Sequence, residues 1–116
     1  KSCYHRDFEN TLTWVQSNLQ EQIRVNDMAH QSNMSRRTFD RQFKLKMGQS
    51  LKAWIVSQRI ELALSTLEHS NPPLERLAEL SGFENAAALR HHFKQRLGVT
   101  PRQYRDQFIA QHYSLE

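Results

Sequence analysis

MSRRTFDRQFKLKMG, running from Met34 to Gly48, reads as one short helix with two faces. Ser35 is placed to cap it, because a serine hydroxyl accepts from the free amides of a first helical turn. Phe39, Phe43 and Met47 recur at every fourth residue and make an apolar stripe. At about 100° per residue, Arg37, Asp40, Arg41 and Lys44 share one arc beside that stripe. Gly48 follows the last apolar residue, where a left-handed position is cheapest for glycine. Docking against a core requires the stripe. It does not require three cations on one exposed arc, and that surplus points to a polyanion.

Working outward, the same periodicity predicts helices on either side. Phe8, Leu12, Val15 and Leu19 set an amphipathic helix over Asp7 to Gln20, with Lys1 to Arg6 as a frayed lead-in and Trp14 covering the side of the core. Val25, Met28 and Ala29 mark a short helix that ends near Ser32-Asn33, asparagine being tolerant of left-handed backbone. This short helix, a turn of about four residues and the helix of residues 35–47 have the helix-turn-helix layout. After a Ser50 cap, Leu51 to His69 is one long helix, stopped by Asn71-Pro72-Pro73, which also starts the next helix at its first turn. Leu74 to Ser81 is short, Gly82-Phe83 turns, and Asn85 to Leu97 carries Leu89, Phe93 and Leu97 on one side. Gly98 ends that helix. Thr100-Pro101 then caps and opens a last helix to about Ala110, with a disordered tail. The expected fold class is all-α: about seven helices in two helix-turn-helix subdomains, residues 7–49 and 71–110, joined by a linker helix over 50–70.

Composition sets the outer bounds. A length of 116 residues with 38% apolar content suits one domain, or two very small ones. The net charge of +4 and pI near 9.6 favour an acidic partner but do not identify it. Cys3 is the only cysteine, so no internal disulfide forms and a reducing compartment is expected. No apolar run approaches the ~20 residues of a membrane span. The first residue is Lys1 rather than methionine, so the chain reads as a fragment of a longer protein, with Leu115-Glu116 as an expression scar. Motifs for metal-dependent hydrolysis, nucleotide cradling or a nucleophile elbow are missing, and the six histidines are scattered, His91 and His92 being expected to point apart. No enzyme activity, metal or cofactor is expected.

The chain also repeats itself. Met28-Ala29 matches Leu77-Ala78, and Ser32 matches Ser81. One residue is inserted in the second turn, after which the offset is 50: Phe39 matches Leu89, Phe43 Phe93, Lys44 Lys94, Gly48 Gly98, Ser50 Thr100 and Trp54 Tyr104. The arc repeats with them, Arg37, Asp40, Arg41 and Lys44 corresponding to Ala87, Arg90, His91 and Lys94. A duplicated core needs the apolar matches alone; the duplicated basic arc asks for another reason.

SGFENAAALRHHFKQRLGVTPRQYRDQF, Ser81 to Phe108, resembles the C-terminal signature of the AraC/XylS family of bacterial transcription regulators, and MSRRTFDRQFKLKMGQSLKAWI, Met34 to Ile55, resembles its first-unit counterpart. The resemblance extends over Asp7 to Phe108 and is most specific at Gly82-Phe83, Phe93-Lys94, Gly98-Val99-Thr100-Pro101 and Tyr104-Arg105. Within the family, SRRTFDRQF and LRHHFKQRLGVTPRQYR look most like members with an N-terminal DJ-1/PfpI-like domain. Two departures stand out: His91, where the family often has arginine, and Arg24, where many members have a serine or threonine cap. The resemblance implies sequence-specific binding to double-stranded DNA in the bacterial cytoplasm, with both reading helices in successive major grooves. It also implies regulation of nearby genes, often activation, RNA polymerase as a further partner, and an effector-binding domain missing from this fragment.

For base contacts the candidates are Arg37, Asp40, Arg41, Ala87, Arg90 and His91. Arginine reaches guanine O6 and N7 with two bonds, an alanine suits a thymine methyl, and Asp40 can accept from cytosine or, more simply, orient Arg37 or Arg41. Ala86 is a weaker candidate beside Ala87, and His92 falls nearer the buried side. For phosphates the candidates are Ser35, Arg36, Lys44, Ser50, Lys94, Thr100 and Arg102, three of them at helix starts. The plainer reading of the arcs is a solvated helix face, of the small residues helix filler, and of the hydroxyls simple caps. The repeat and the resemblance weigh against the first. Rival classes are a helical protein-interaction module docking on the transcription machinery or another acidic partner, and a regulatory domain of an enzyme. A shift assay in the presence of heparin separates them from DNA reading.

Overall fold

The computed structural model of the chain describes the backbone of residues 2–114 and the side chains of residues 9–108. Among the described residues all regular structure is helical: α1 (Ser2–Ser17), α2 (Val25–Gln31), α3 (Arg36–Met47), α4 (Leu51–His69), α5 (Leu74–Ser81), α6 (Ala86–Leu97) and α7 (Pro101–Ser114). The chain divides into two compact units, Lys1–Gln58 and Arg59–Glu116, so residues 51–58 of α4 belong to the first and residues 59–69 to the second.

In the first unit a four-residue turn, residues 32–35, joins α2 to α3. Asn33 takes φ of 58°, and the Met34 amide reaches back 2.9 Å to the Ala29 carbonyl, which satisfies the end of α2. Ser35 then restarts the helix by accepting from the Thr38 amide at 3.2 Å. The turn is anchored from below by a buried pair of hydroxyls, Thr11 and Ser32, 2.7 Å apart. Phe39 and Phe43 are wholly buried, their rings 5.7 Å apart, and Trp54 meets Phe43 edge-on at 5.8 Å.

The second unit reaches the same arrangement with other residues. Gly82 takes φ of 97° where Asn33 stood, the Phe83 amide reaches the Ala78 carbonyl at 2.8 Å, and Asn85 caps α6 by accepting from the Ala88 amide at 2.8 Å. The inserted residue, Glu84, lengthens the path between left-handed turn and cap. Tyr104 meets the buried Phe93 edge-on at 5.9 Å, as Trp54 meets Phe43. Its hydroxyl donates to Glu68 at 3.3 Å, and burial, then the charge and acceptance of that carboxylate, push the phenol above its usual range. Both α3 and α6 end on a left-handed glycine, Gly48 (φ 76°) and Gly98 (φ 80°). A Cβ on either would meet nothing within 4 Å, so the requirement for glycine is conformational rather than steric.

Several boundaries differ from expectation. α1 begins at Ser2 and ends at Ser17, so the lead-in is helical in backbone and the helix stops a turn early; the side chain of Phe8 lies outside the described residues. α7 continues to Ser114, past Ala110, and the expected scar at Leu115-Glu116 also lies outside. Pro73 is the N-cap of α5 rather than its first helical residue, and offers no side-chain acceptor. Leu97 is 40% exposed, because steps of four residues drift around a helix of 3.6 residues per turn and carry the last member off the buried face.

α2 also starts without a side-chain cap: Arg24 has the extended backbone of a cap residue (φ −110°, ψ 134°) but places no acceptor on the first turn. Arg24→Ser is therefore expected to stabilise the protein by about 0.5–1 kcal/mol, read as a higher urea midpoint at unchanged slope. An unchanged or lower midpoint would show that the first turn of α2 already has its acceptors.

Candidate nucleic-acid interface

The second helix of each unit, α3 and α6, is turned by its buried residues. On α3, Phe39 and Phe43 face the interior, which leaves Arg37, Asp40, Arg41 and Lys44 exposed. Arg37, Arg41 and Lys44 have no ion pair among the described residues. Asp40 does not orient Arg37 or Arg41: its carboxylate lies 3.8 Å from Arg36 Nε, four residues earlier. The helix explains the choice, since an (i, i+4) partner lies along the same face whereas Arg41, one residue on, is turned away by about 100°. Both partners are more than half exposed, so this pair adds little stability and leaves the cations of Arg37 and Arg41 undiminished.

On α6 the interior face is Ala86, Leu89 and Phe93, spaced i, i+3 and i+7. Ala86 is thus in the core and cannot approach a ligand, which removes it as a candidate. Ala87, Arg90, His91 and Lys94 are exposed and border one open depression of about 530 Å³ together with Gln95 and Thr100. His91 and His92 do not point apart; their rings meet edge-on at 5.0 Å, and His92, half-buried, stacks on Phe83 at 5.7 Å.

The three cap hydroxyls are engaged within the fold. Ser35 accepts from the Thr38 amide and donates to the Thr38 hydroxyl at 3.0 Å. Ser50 accepts from the Ala53 amide at 3.1 Å. Thr100 accepts from the Gln103 amide at 3.1 Å, while the Gln103 side chain accepts from the Thr100 amide at 2.9 Å, a closed capping box. Arg36 is exposed beside Asp40. Arg102 borders a different hollow, of about 400 Å³, with Leu67, Asn71, Pro72 and Arg105, where Arg105 donates to the side chains of Asn71 and Asp106.

Gln95 was not among the expected contacts, though it follows Lys94 and lies four residues after His91. Spacing alone could have found it; what hid it was its repeat partner Leu45, an apolar residue. Leu45 is 74% exposed, the largest exposure among the large apolar side chains described in the first unit. Among the described residues no group of three or more histidine, cysteine or acidic side chains is placed to hold a metal ion, and no helix is long and apolar enough to cross a membrane.

Two helix-turn-helix units, each presenting the outer face of its second helix as an exposed basic arc, define the class: a double helix-turn-helix DNA-binding domain. Residues 28–107 match the family model described as "Helix-turn-helix domain", and the chain belongs to that AraC-type family. It is 33% identical over 94 residues to the multiple antibiotic resistance protein MarA of Escherichia coli, an alignment covering 81% of this chain and 74% of that one. It is also 33% identical over 104 residues to a putative AraC-like transcription regulator of Streptomyces lividans, covering 90% of this chain but 31% of that protein. Among solved structures, the DNA-binding domain of AdpA, a global transcriptional factor in complex with a target DNA, superposes with a TM-score of 0.86 at 36% identity, covering 90% of this chain and 94% of that one. An AraC-type regulator from Chromobacterium violaceum shares the fold at a TM-score of 0.80 and 19% identity.

Proposed function

We propose that the chain reads a specific DNA sequence as the DNA-binding part of a bacterial transcription regulator, α3 and α6 each entering a major groove. The observation that carries this is the repeat of an exposed basic arc on the second helix of both helix-turn-helix units, clear of the residues that hold each core. Arg37 and Arg41 are suited to guanine edges, and Ala87, Arg90 and His91 to a mixed edge that includes a thymine methyl. Lys44 and Lys94 meet phosphates, joined by Arg36, Arg102 and the hydroxyls of Ser35, Ser50 and Thr100. Successive grooves place the two half-sites about one helical turn, ~10 bp, apart. Regulation through RNA polymerase, and control by an effector domain of the DJ-1/PfpI-like type, extend the same reading to a longer protein working in the cytoplasm. The direct test is selection from a random DNA pool followed by a shift assay with heparin. A specific retarded complex is expected; an indifferent or absent shift sinks the proposal and favours a protein-interaction module.

Because the two arcs carry different residues, the selected site is expected to be asymmetric and covered by one chain. Arg41→Ala should weaken binding by about 1–3 kcal/mol and relax base preference in one half-site, and Arg90→Ala should do the same in the other. Lys44→Ala should weaken all sites nearly alike. Repeating the selection with each variant checks this, and relaxation of the same base pairs by Arg41→Ala and Arg90→Ala would refute two separate readers.

A further inference from the structure

We propose that the second unit carries a binding site for a small apolar monocarboxylate, in the hollow where the end of α4, the start of α5 and the start of α7 meet. The proposal goes beyond the DNA-binding function given above, and it is tested without DNA.

The hollow, of about 400 Å³, has apolar walls. Leu67, Leu77 and Pro101 are buried there, and Leu74 and Pro72 are half-buried. The chain has three prolines, Pro72, Pro73 and Pro101, and all three border this hollow. A proline ring fixes φ and leaves the wall little freedom to close in, so the space is held open in advance of a ligand.

The polar side of the hollow carries one sign of charge. Arg102 and Arg105 border it, and among the described residues no carboxylate does. Arg102 is exposed and has no ion pair among the described residues. Arg105 is more enclosed, its side chain 26% exposed. It is held at the rim by donating to the Asn71 side chain, and its ion-pair partner Asp106 lies 3.4 Å away and is 65% exposed. Its Nε is buried with no acceptor among the described residues. The cation is thus desolvated on its inner side and weakly compensated on its outer one. An anion over the outer edge supplies the missing compensation, and planar guanidinium forks suit the two oxygens of a carboxylate.

The internal repeat shows that packing does not ask for this cation. At the offset of 50, Arg105 stands where the first unit has Ile55, and Pro101 where it has Leu51, both buried in that unit's core. A copy kept for stability alone retains an apolar residue at the Ile55 position, because a half-buried guanidinium carries a desolvation cost that isoleucine does not. A guanidinium beside preformed apolar walls instead fits a ligand oriented by its charged head and buried by its body.

The test is a titration of the isotope-labelled chain with naphthoate, followed by amide NMR shifts. Saturable shifts are expected at Leu74, Leu77, Arg102 and Arg105, with a Kd of about 1 mM or tighter for a ligand of this size. Naphthamide has the rings without the charge, whereas acetate and inorganic phosphate have charge without the rings. Each should bind at least about tenfold more weakly. Arg105→Gln should weaken naphthoate binding by about tenfold. Arg105 also ties down Asn71, so a second variant guards against a folding defect. Leu74→Trp keeps both cations, fills the hollow and should abolish the saturable shifts. Naphthamide or phosphate binding as well as naphthoate, shifts that spread without saturating, or full binding by Leu74→Trp overturns the site. None of these outcomes bears on the DNA selection, and failure of that selection leaves this site standing.

Discussion

Affinity for the selected duplex is expected to fall about a thousandfold or more between roughly 50 and 200 mM salt. The argument starts from exposed charge. Arg36, Arg37, Arg41 and Lys44 on α3, Arg90 and Lys94 on α6, and Arg102 on α7 are all solvent-exposed. Only Arg36 among them has an ion pair within the described residues, a long and exposed one to Asp40. Each phosphate that such a cation neutralises releases counterions, with a slope near −0.9 per phosphate in log affinity against log salt. About six phosphates give a slope near −5, and a fourfold change in salt then yields the thousandfold loss. A shift assay or fluorescence anisotropy titration at graded salt measures the slope. A flat response would mean that the arcs are solvated faces and not a DNA surface. Lys44→Ala should reduce the slope by about one, which separates a phosphate contact from a base contact.

Phe43→Ala and Phe93→Ala are each expected to destabilise the protein by roughly 3–5 kcal/mol. Both side chains are wholly buried. Phe43 sits between Phe39 and Trp54, at 5.7 and 5.8 Å, and Phe93 lies 5.9 Å from Tyr104. Truncation removes the transferred apolar surface and leaves a space that rigid aromatic neighbours fill poorly. Against a total stability of about 5–15 kcal/mol, either loss approaches the threshold for folding. Thermal or urea melts measure it, and variants that melt with the parent would refute the assignment of these residues as the anchors of their units. Leu45→Ala serves as the contrast: as a largely exposed residue it should leave the midpoint within about 0.5 kcal/mol of the parent.

Much of the helical framework is legible in local chemistry. The stripe of Phe39, Phe43 and Met47, the caps at Ser35, Ser50 and Thr100, the stop at Pro72-Pro73 and the left-handed residues Asn33, Gly48 and Gly98 all act within one or two turns. Nearest-neighbour physics suffices for such signals, because a cap or a glycine acts on amides and carbonyls close by in the chain. The exposed arcs are legible for a related reason: once the apolar residues choose the inward side, helical geometry places the rest.

Side-chain pairing and the ends of elements are decided elsewhere. Asp40 has Arg36, Arg37 and Arg41 within reach in sequence, and in the folded chain it pairs with Arg36. Ala86 and Ala87 are identical in composition and adjacent, yet one is in the core and the other on the surface, because only Ala86 shares the face of Leu89 and Phe93 that packs inward. His91 and His92 meet because Phe83, from the turn before the helix, holds the second ring in place. The Thr11–Ser32 hydroxyl pair joins residues 21 positions apart, which no local pattern encodes. Periodicity, punctuation and the repeat thus establish the helices, their inward faces and the duplicated basic arc. Tertiary packing decides pairs such as Thr11–Ser32 and Tyr104–Glu68, since those depend on groups brought together from distant parts of the chain.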